Sequence, residues 1–293
     1  MELRHIRYFL AVAEEGNFTR AAARIGIGQP PLSQQIRDLE HEVGTELFRR
    51  LPQGATLTDA GKAFYVRVRA MPDLARDAAE EARRASRGES GVLRVGFTGA
   101  AALNPVVSGT IRMFGEHWPG VALILRETNS GDLARELLDG GLDVAFLRPG
   151  AVPDYGLSMM AMPDEPMVAG LPAGHPLATA DPRGVRLTDL HDERFVLTAR
   201  SVGPTVYDTV IETARQAGFE PILGQVAPQL VSVMVLVAAG LGVSLVPQSM
   251  QQLALEGAAY RPLIDVSPVA RLAIATTKAG RSAAAANFLS LCA

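Results

Sequence analysis

Residues 29–40, Gln-Pro-Pro-Leu-Ser-Gln-Gln-Ile-Arg-Asp-Leu-Glu, restrict the possible folds more than any other stretch. Inside a helix each proline removes a backbone donor and clashes with the preceding turn. In a first turn the N–H groups have no intrahelical partner to lose, so both prolines fit there. Leu32, Ile36, Leu39 and Val43 then recur at i, i+4, i+7 and i+11, which predicts a helix burying that stripe. The same period turns Ser33, Gln34 and Arg37 to the other side, with Gln29 and Pro30 at the N-terminal tip.

Two shorter helices are expected before it. Leu3, Ile6, Phe9, Leu10 and Ala13 form one stripe that stops near Gly16, and Asn17 or Thr19 caps a second helix carrying Ala21, Ala22 and Ile25. Gly26–Gly28 supply the turn between the second and third helices. Short polar side chains on the N-terminal half of the third helix suit a major-groove reader. Glutamine can pair with adenine, and serine with either base type. Periodicity alone fits a structural helical hairpin equally well. Residues 47–61 (LFRRLPQGATLTDAG) shift the balance, because two arginines, a Pro/Gly turn and a Thr-Leu-Thr strand make the layout of a wing. Arg49 and Arg50 would there meet phosphates. Bulk charge gives no help, since residues 1–58 hold seven basic and seven acidic side chains.

With these residues in view, positions 1–61 resemble the winged helix-turn-helix of the LysR-type transcriptional regulators. The resemblance is carried by Phe9, Ala21–Ala23, the QPPLSQQIRDLE run, Gly44, Leu47-Phe48 and Leu57–Gly61. It implies that Gln29, Pro30, Ser33 and Gln34 touch bases of promoter DNA, while Arg37 and Arg50 approach the backbone. Two positions depart from the pattern. Gly28 stands where the family usually has a capping Ser or Thr, and Gln53 where it usually has a wing Arg.

Residues 59–90 form the expected linker and dimerisation helix. Phe64, Val68, Met71, Ala75, Ala78, Ala82 and Ala85 make a heptad seam that calls for a second helix, although packing on the chain's own C-terminal domain is the alternative. Pro72 interrupts it, and a kink or break is expected there.

From Gly91 onward, strand and helix patterns alternate, so residues 91–293 are expected to be an α/β domain with parallel strands. Expected elements include strands at 91–97, 121–127 and 143–147, helices at 103–118 and 130–138, and a late strand at 272–276 rejoining the first sheet. Ligands in such sheets sit beyond the strands' carboxyl ends. Thr98, Asn129 and Ser130 lie there as donors, and Arg148 could grip a carboxylate or pair with Asp143. Threonine and serine at strand ends are also common turn or cap residues. This half is similar to the two-lobed, periplasmic-binding-protein-like effector domain of the same family, in its branch controlling aromatic degradation. That likeness implies lobes of 91–162 with 266–293, and 163–265. It also implies effector contacts at Thr98, Gly99, Ala100, Ser130 and, opposite, Ser201, Val202 and Pro204, with an aromatic or dicarboxylic acid as effector. Ala100 stands where that branch often has Ser.

Other classes find little support. The five histidines are scattered, and neither a nucleophile elbow nor a phosphate-binding glycine loop is present, so catalysis, metal sites and cofactors are not expected. A lone cysteine, Cys292, excludes an intrachain disulfide. The first sixteen residues do not read as a signal peptide, and no apolar run would span a membrane, so a cytoplasmic protein rather than a transport binding protein is expected. Membership of the family would further imply a homodimer assembling into a homotetramer, and contact with RNA polymerase.

Overall fold

The computed structural model describes residues 1–150 and 156–292. The chain forms two compact units, Met1–Arg83 and Arg84–Ala293.

The first unit begins with α1 (Leu3–Glu15), α2 (Phe18–Ile25) and α3 (Gln29–Val43). Each helix ends on a glycine in the left-handed region, Gly16, Gly26 or Gly44, which a side chain there would strain. Asn17 caps α2 by accepting from the Thr19 and Arg20 amides at 2.9 and 3.1 Å. A two-stranded hairpin follows, β1 (Phe48–Leu51) against β2 (Gly54–Leu57), then α4 (Asp59–Val68). The core gathers Phe9, Leu32, Ile36, Leu39 and Leu47, all fully buried, with the Phe9 ring 5.1 Å from Phe48 and 5.0 Å from Phe64. Gly61 is what lets α4 lie on the hairpin. A Cβ there would stand 2.0 Å from the Leu47 carbonyl oxygen.

The linker is two helices, not one. After α4 the chain turns at 69–70 and resumes as α5 (Met71–Ser86), with Pro72 in its first turn, where the missing donor costs nothing. Along α5, Met71, Ala75, Ala78, Ala82 and Ala85 are exposed.

The second unit opens with β3 (Gly91–Phe97), α6 (Gly99–Ala102), α7 (Pro105–His117), β4 (Val121–Glu127), α8 (Ser130–Leu138), β5 (Val144–Leu147) and β6 (Leu157–Ala161). The helix expected over 103–118 is α7, which starts two residues later because Asn104 caps it by accepting from the Val106 amide at 2.9 Å. The chain then runs through β7 (Glu165–Pro172), β8 (Arg194–Thr198), α9 (Pro204–Gln216), β9 (Ile222–Ala227), α10 (Leu230–Ala238), β10 (Ser244–Pro247) and β11 (Ala258–Pro262). It ends with β12 (Val269–Ala270), β13 (Ala273–Thr277) and α11 (Ala283–Ser290).

The first sheet has the order β4-β3-β5-β13-β6, with β3 parallel to both β4 and β5. The late strand β13 joins it antiparallel between β5 and β6, as the pattern at 272–276 anticipates. In the second sheet β7 lies between β10 and β11, and a separate two-stranded sheet pairs β8 with β9 in parallel. β12 pairs with the start of β7 (Val269 with Pro166, Ala270 with Glu165), so the chain re-enters the first sheet with β13.

Candidate functional site

The first unit presents α3. Its N-cap, Gly28, makes no side-chain cap bond, and Gln29, Pro30, Gln34 and Arg37 are exposed. Gln34 is held at both ends. Its Nε2 donates to Asp38 Oδ1 at 2.7 Å, while Arg37 donates to its Oε1 at 2.7 Å. That row keeps a polar face ordered along the outside of the helix.

Ser33 does not share the open face. It is only 4% exposed, and Gln29 Nε2 donates to its Oγ at 2.8 Å. The helical period explains this correction. Ser33 lies about 60° from Ile36 around the helix, at the margin of the buried stripe, and the longer Gln29 covers it.

The wing is fastened to α3 by a residue that periodicity did not single out. Glu40 Oε1 accepts from the Leu47 and Phe48 amides at 2.8 and 3.0 Å, so one carboxylate fixes the start of β1. Arg50 on β1 stacks over the Phe18 ring at 4.9 Å, which orients its guanidinium against α2. Gln53 sits exposed in the hairpin turn.

The second unit holds a cavity of about 490 Å³. Thr98, Gly99, Ala100, Asn129, Ser130 and Arg148 line it from the first sheet's carboxyl ends. Across from them stand Val202, Gly203, Thr198 and the start of α10. Ser201 and Pro204 are not among its lining. In that irregular turn Val202 faces inward while Ser201 is exposed, and Pro204 opens α9. Sequence reasoning also missed Glu127, Thr198 and Gln229. Glu127 ends a strand and looks like any exposed edge acid, and the other two reach the cavity only through the pairing of the lobes.

Several lining residues serve the scaffold as well. Thr98 caps α6, and Asn129 caps α8 by accepting from the Asp132 amide at 3.0 Å. Ser130 Oγ accepts from the Arg148 backbone N–H at 3.1 Å, which joins two carboxyl-end positions directly. The Arg148 side chain is 6% exposed and donates to the Arg271 carbonyl at 3.1 Å. Burial pulls its pKa down from the guanidinium's usual value, with the charge of Glu165 opposing. Asp143 is not its partner, since that carboxylate accepts from the Arg94 amide at 2.8 Å. Behind Arg148, Glu165 is 9% exposed and accepts from Asn104 Nδ2 at 3.0 Å and from the Ser249 amide. Among the described residues no cluster of three or more His, Cys, Asp or Glu is placed to hold a metal, and no helix is long and apolar enough to cross a membrane.

Known proteins match both units. Residues 3–62 fit the bacterial regulatory helix-turn-helix protein model of the lysR family, and residues 86–293 fit the LysR substrate binding domain. The chain is 38% identical over 291 residues to the HTH-type transcriptional regulator BudR of Raoultella terrigena, covering 99% of this chain and 100% of that one. Full-length CbnR in complex with its target DNA is structurally similar, with a TM-score of 0.89 at 26% identity, covering 100% of this chain and 98% of that one. The effector-binding domain of BenM with its effector benzoate aligns with a TM-score of 0.61 at 27% identity, over 69% of this chain and 90% of that one. BenM of Acinetobacter baylyi is 32% identical over 276 residues, covering 94% of this chain and 90% of BenM.

Proposed function

The chain belongs to the LysR family of bacterial transcriptional regulators, DNA-binding proteins with an effector-binding domain, and we propose that an anionic metabolite bound in its cavity sets how α3 engages a promoter. The observation that carries this reading is Arg148. A buried guanidinium lines the cavity with no carboxylate in ion-pairing reach among the described residues. Burying such a charge is costly unless something pairs with it, and a ligand carboxylate would do so.

On the DNA side, Gln34, Pro30 and Gln29, the last held in place by Ser33, would meet base edges, and Arg37 and Arg50 would meet phosphates. The DNA held by CbnR supports a duplex as partner, and the benzoate held by BenM supports an aromatic acid as effector. The exposed seam from Met71 to Ala85 would pair two copies, and two such dimers would make a tetramer that presents its readers to promoter DNA and to RNA polymerase. Cavity closure would then shift the population of DNA-competent assemblies. A regulator of this kind works in the cytoplasm.

Gel shifts test the reading, with the duplex upstream of the protein's own gene and a random duplex of equal length. The expected result is preference for the upstream duplex, altered by an aromatic acid. Equal affinity for both duplexes would overturn it.

A further inference from the structure

Among the described residues lining the cavity, two side chains carry charge, and their signs oppose. Arg148 is the cation. The anion is Glu127, at the end of β4. Its Oε1 lies 2.6 Å from where a Cβ on Gly99 would stand, so the glycine leaves room for the carboxylate beside the first turn of α6, and a larger residue would push it away.

No side chain nearby neutralises Glu127. Its backbone belongs to the β3–β4 ladder, but its carboxylate forms neither a hydrogen bond nor an ion pair with any described residue, and the polar groups beside it in sequence are committed elsewhere. Arg126 pairs with Glu136 at 2.8 Å. Thr128 Oγ1 and Asn129 Nδ2 both donate to Asp132, at 3.2 and 2.8 Å. A carboxylate can only accept hydrogen bonds, so this wall of the cavity asks its ligand for a donor. Ala100, in place of a serine, adds no hydroxyl to change that demand.

Resting on the anion-binding reading above, we propose that Glu127 determines specificity. The effector carries one carboxylate, for Arg148, and one hydrogen-bond donor, a hydroxyl or an ammonium, for Glu127. Dicarboxylates are disfavoured. A sphere of about 490 Å³ is about 10 Å across, which sets the scale of the distance between Glu127 and a second ligand carboxylate. At about 10 Å and an effective dielectric near 20, two like charges repel enough to weaken binding roughly tenfold or more.

Benzoate and three para-substituted relatives, 4-hydroxybenzoate, 4-(aminomethyl)benzoate and terephthalate, test this by calorimetry on the full chain. The wild type should bind the hydroxyl and aminomethyl compounds more tightly than terephthalate. Measured relative to benzoate, whose carboxylate on Arg148 also feels the lost charge, Glu127→Gln should gain several-fold for terephthalate and lose about tenfold for the aminomethyl compound. Binding with the same ranking in wild type and Glu127→Gln, lost in Arg148→Met, overturns this inference and leaves the anion-binding reading standing. No binding of any of the four to either protein overturns that reading, and this inference with it.

Discussion

Gln29 lies over Ser33, its amide donating to the serine hydroxyl at 2.8 Å, so the two residues form one unit at the tip of α3. Gln34, by contrast, is exposed on the outer face. The two serine and glutamine positions therefore answer differently to alanine. Gln34→Ala should cost about 1–3 kcal/mol on the specific duplex, the worth of a bidentate base contact. Ser33→Ala should cost about 1 kcal/mol, because it acts through the freed Gln29. Neither should change affinity for a random duplex by more than about twofold. Gel shifts showing equal losses on both duplexes would contradict the assignment.

Glu40 holds the amides of two buried residues, Leu47 and Phe48. Glu40→Ala leaves both donors unsatisfied and should cost about 2–3 kcal/mol, whereas Glu40→Gln keeps an acceptor and should cost less than about half of that. Amide hydrogen exchange at 47 and 48 checks this. Exchange should accelerate strongly in the alanine variant and weakly in the glutamine variant.

Arg148→Met separates binding from stability. Removing a buried charge for an apolar side chain of similar length is often close to neutral, here within about 1 kcal/mol once the lost bond to Arg271 is counted. The variant should melt near the wild-type temperature yet gain no stabilisation from an aromatic acid. Retained stabilisation would remove Arg148 from the site.

Asp181 sets a pH dependence. The Arg183 side chain and amide hold its carboxyl at about 2, below the ordinary value of 3.8. A depressed folded pKa means that its contribution is complete above the ordinary value and is lost as pH falls from about 4 through about 2. Melting curves of wild type and Asp181→Asn should therefore differ at pH 6 and converge towards pH 2. A gap that stays constant would contradict this.

The recognition helix was legible because its constraints are local. Two prolines, a spaced apolar stripe and a flanking glycine specify a start, a face and a stop with no reference to the rest of the chain. Ser33 was harder, because at the stripe's margin the conformation of Gln29 decides whether it is open. The break near Pro72 follows from the same local chemistry, and so does the late strand that returns to the first sheet. The cavity was legible only on the near side, where Thr98, Ser130 and Arg148 end successive patterned elements. Ser201, Val202, Gly203 and Pro204 show the limit. Which residues of a turn face inward depends on dihedrals that periodicity does not encode. Thr198 and Gln229 needed the pairing of two lobes, and Glu127 needed the space left by Gly99.

The central claim is that an acid on Arg148 changes how α3 meets DNA. Footprinting of the duplex upstream of the protein's own gene, with and without 4-hydroxybenzoate, measures that in wild type and in Arg148→Met. The account predicts a protected site whose boundary or occupancy shifts with the acid in the wild type and does not shift in the variant. A footprint that ignores the acid in both proteins, or that shifts equally in both, would contradict it.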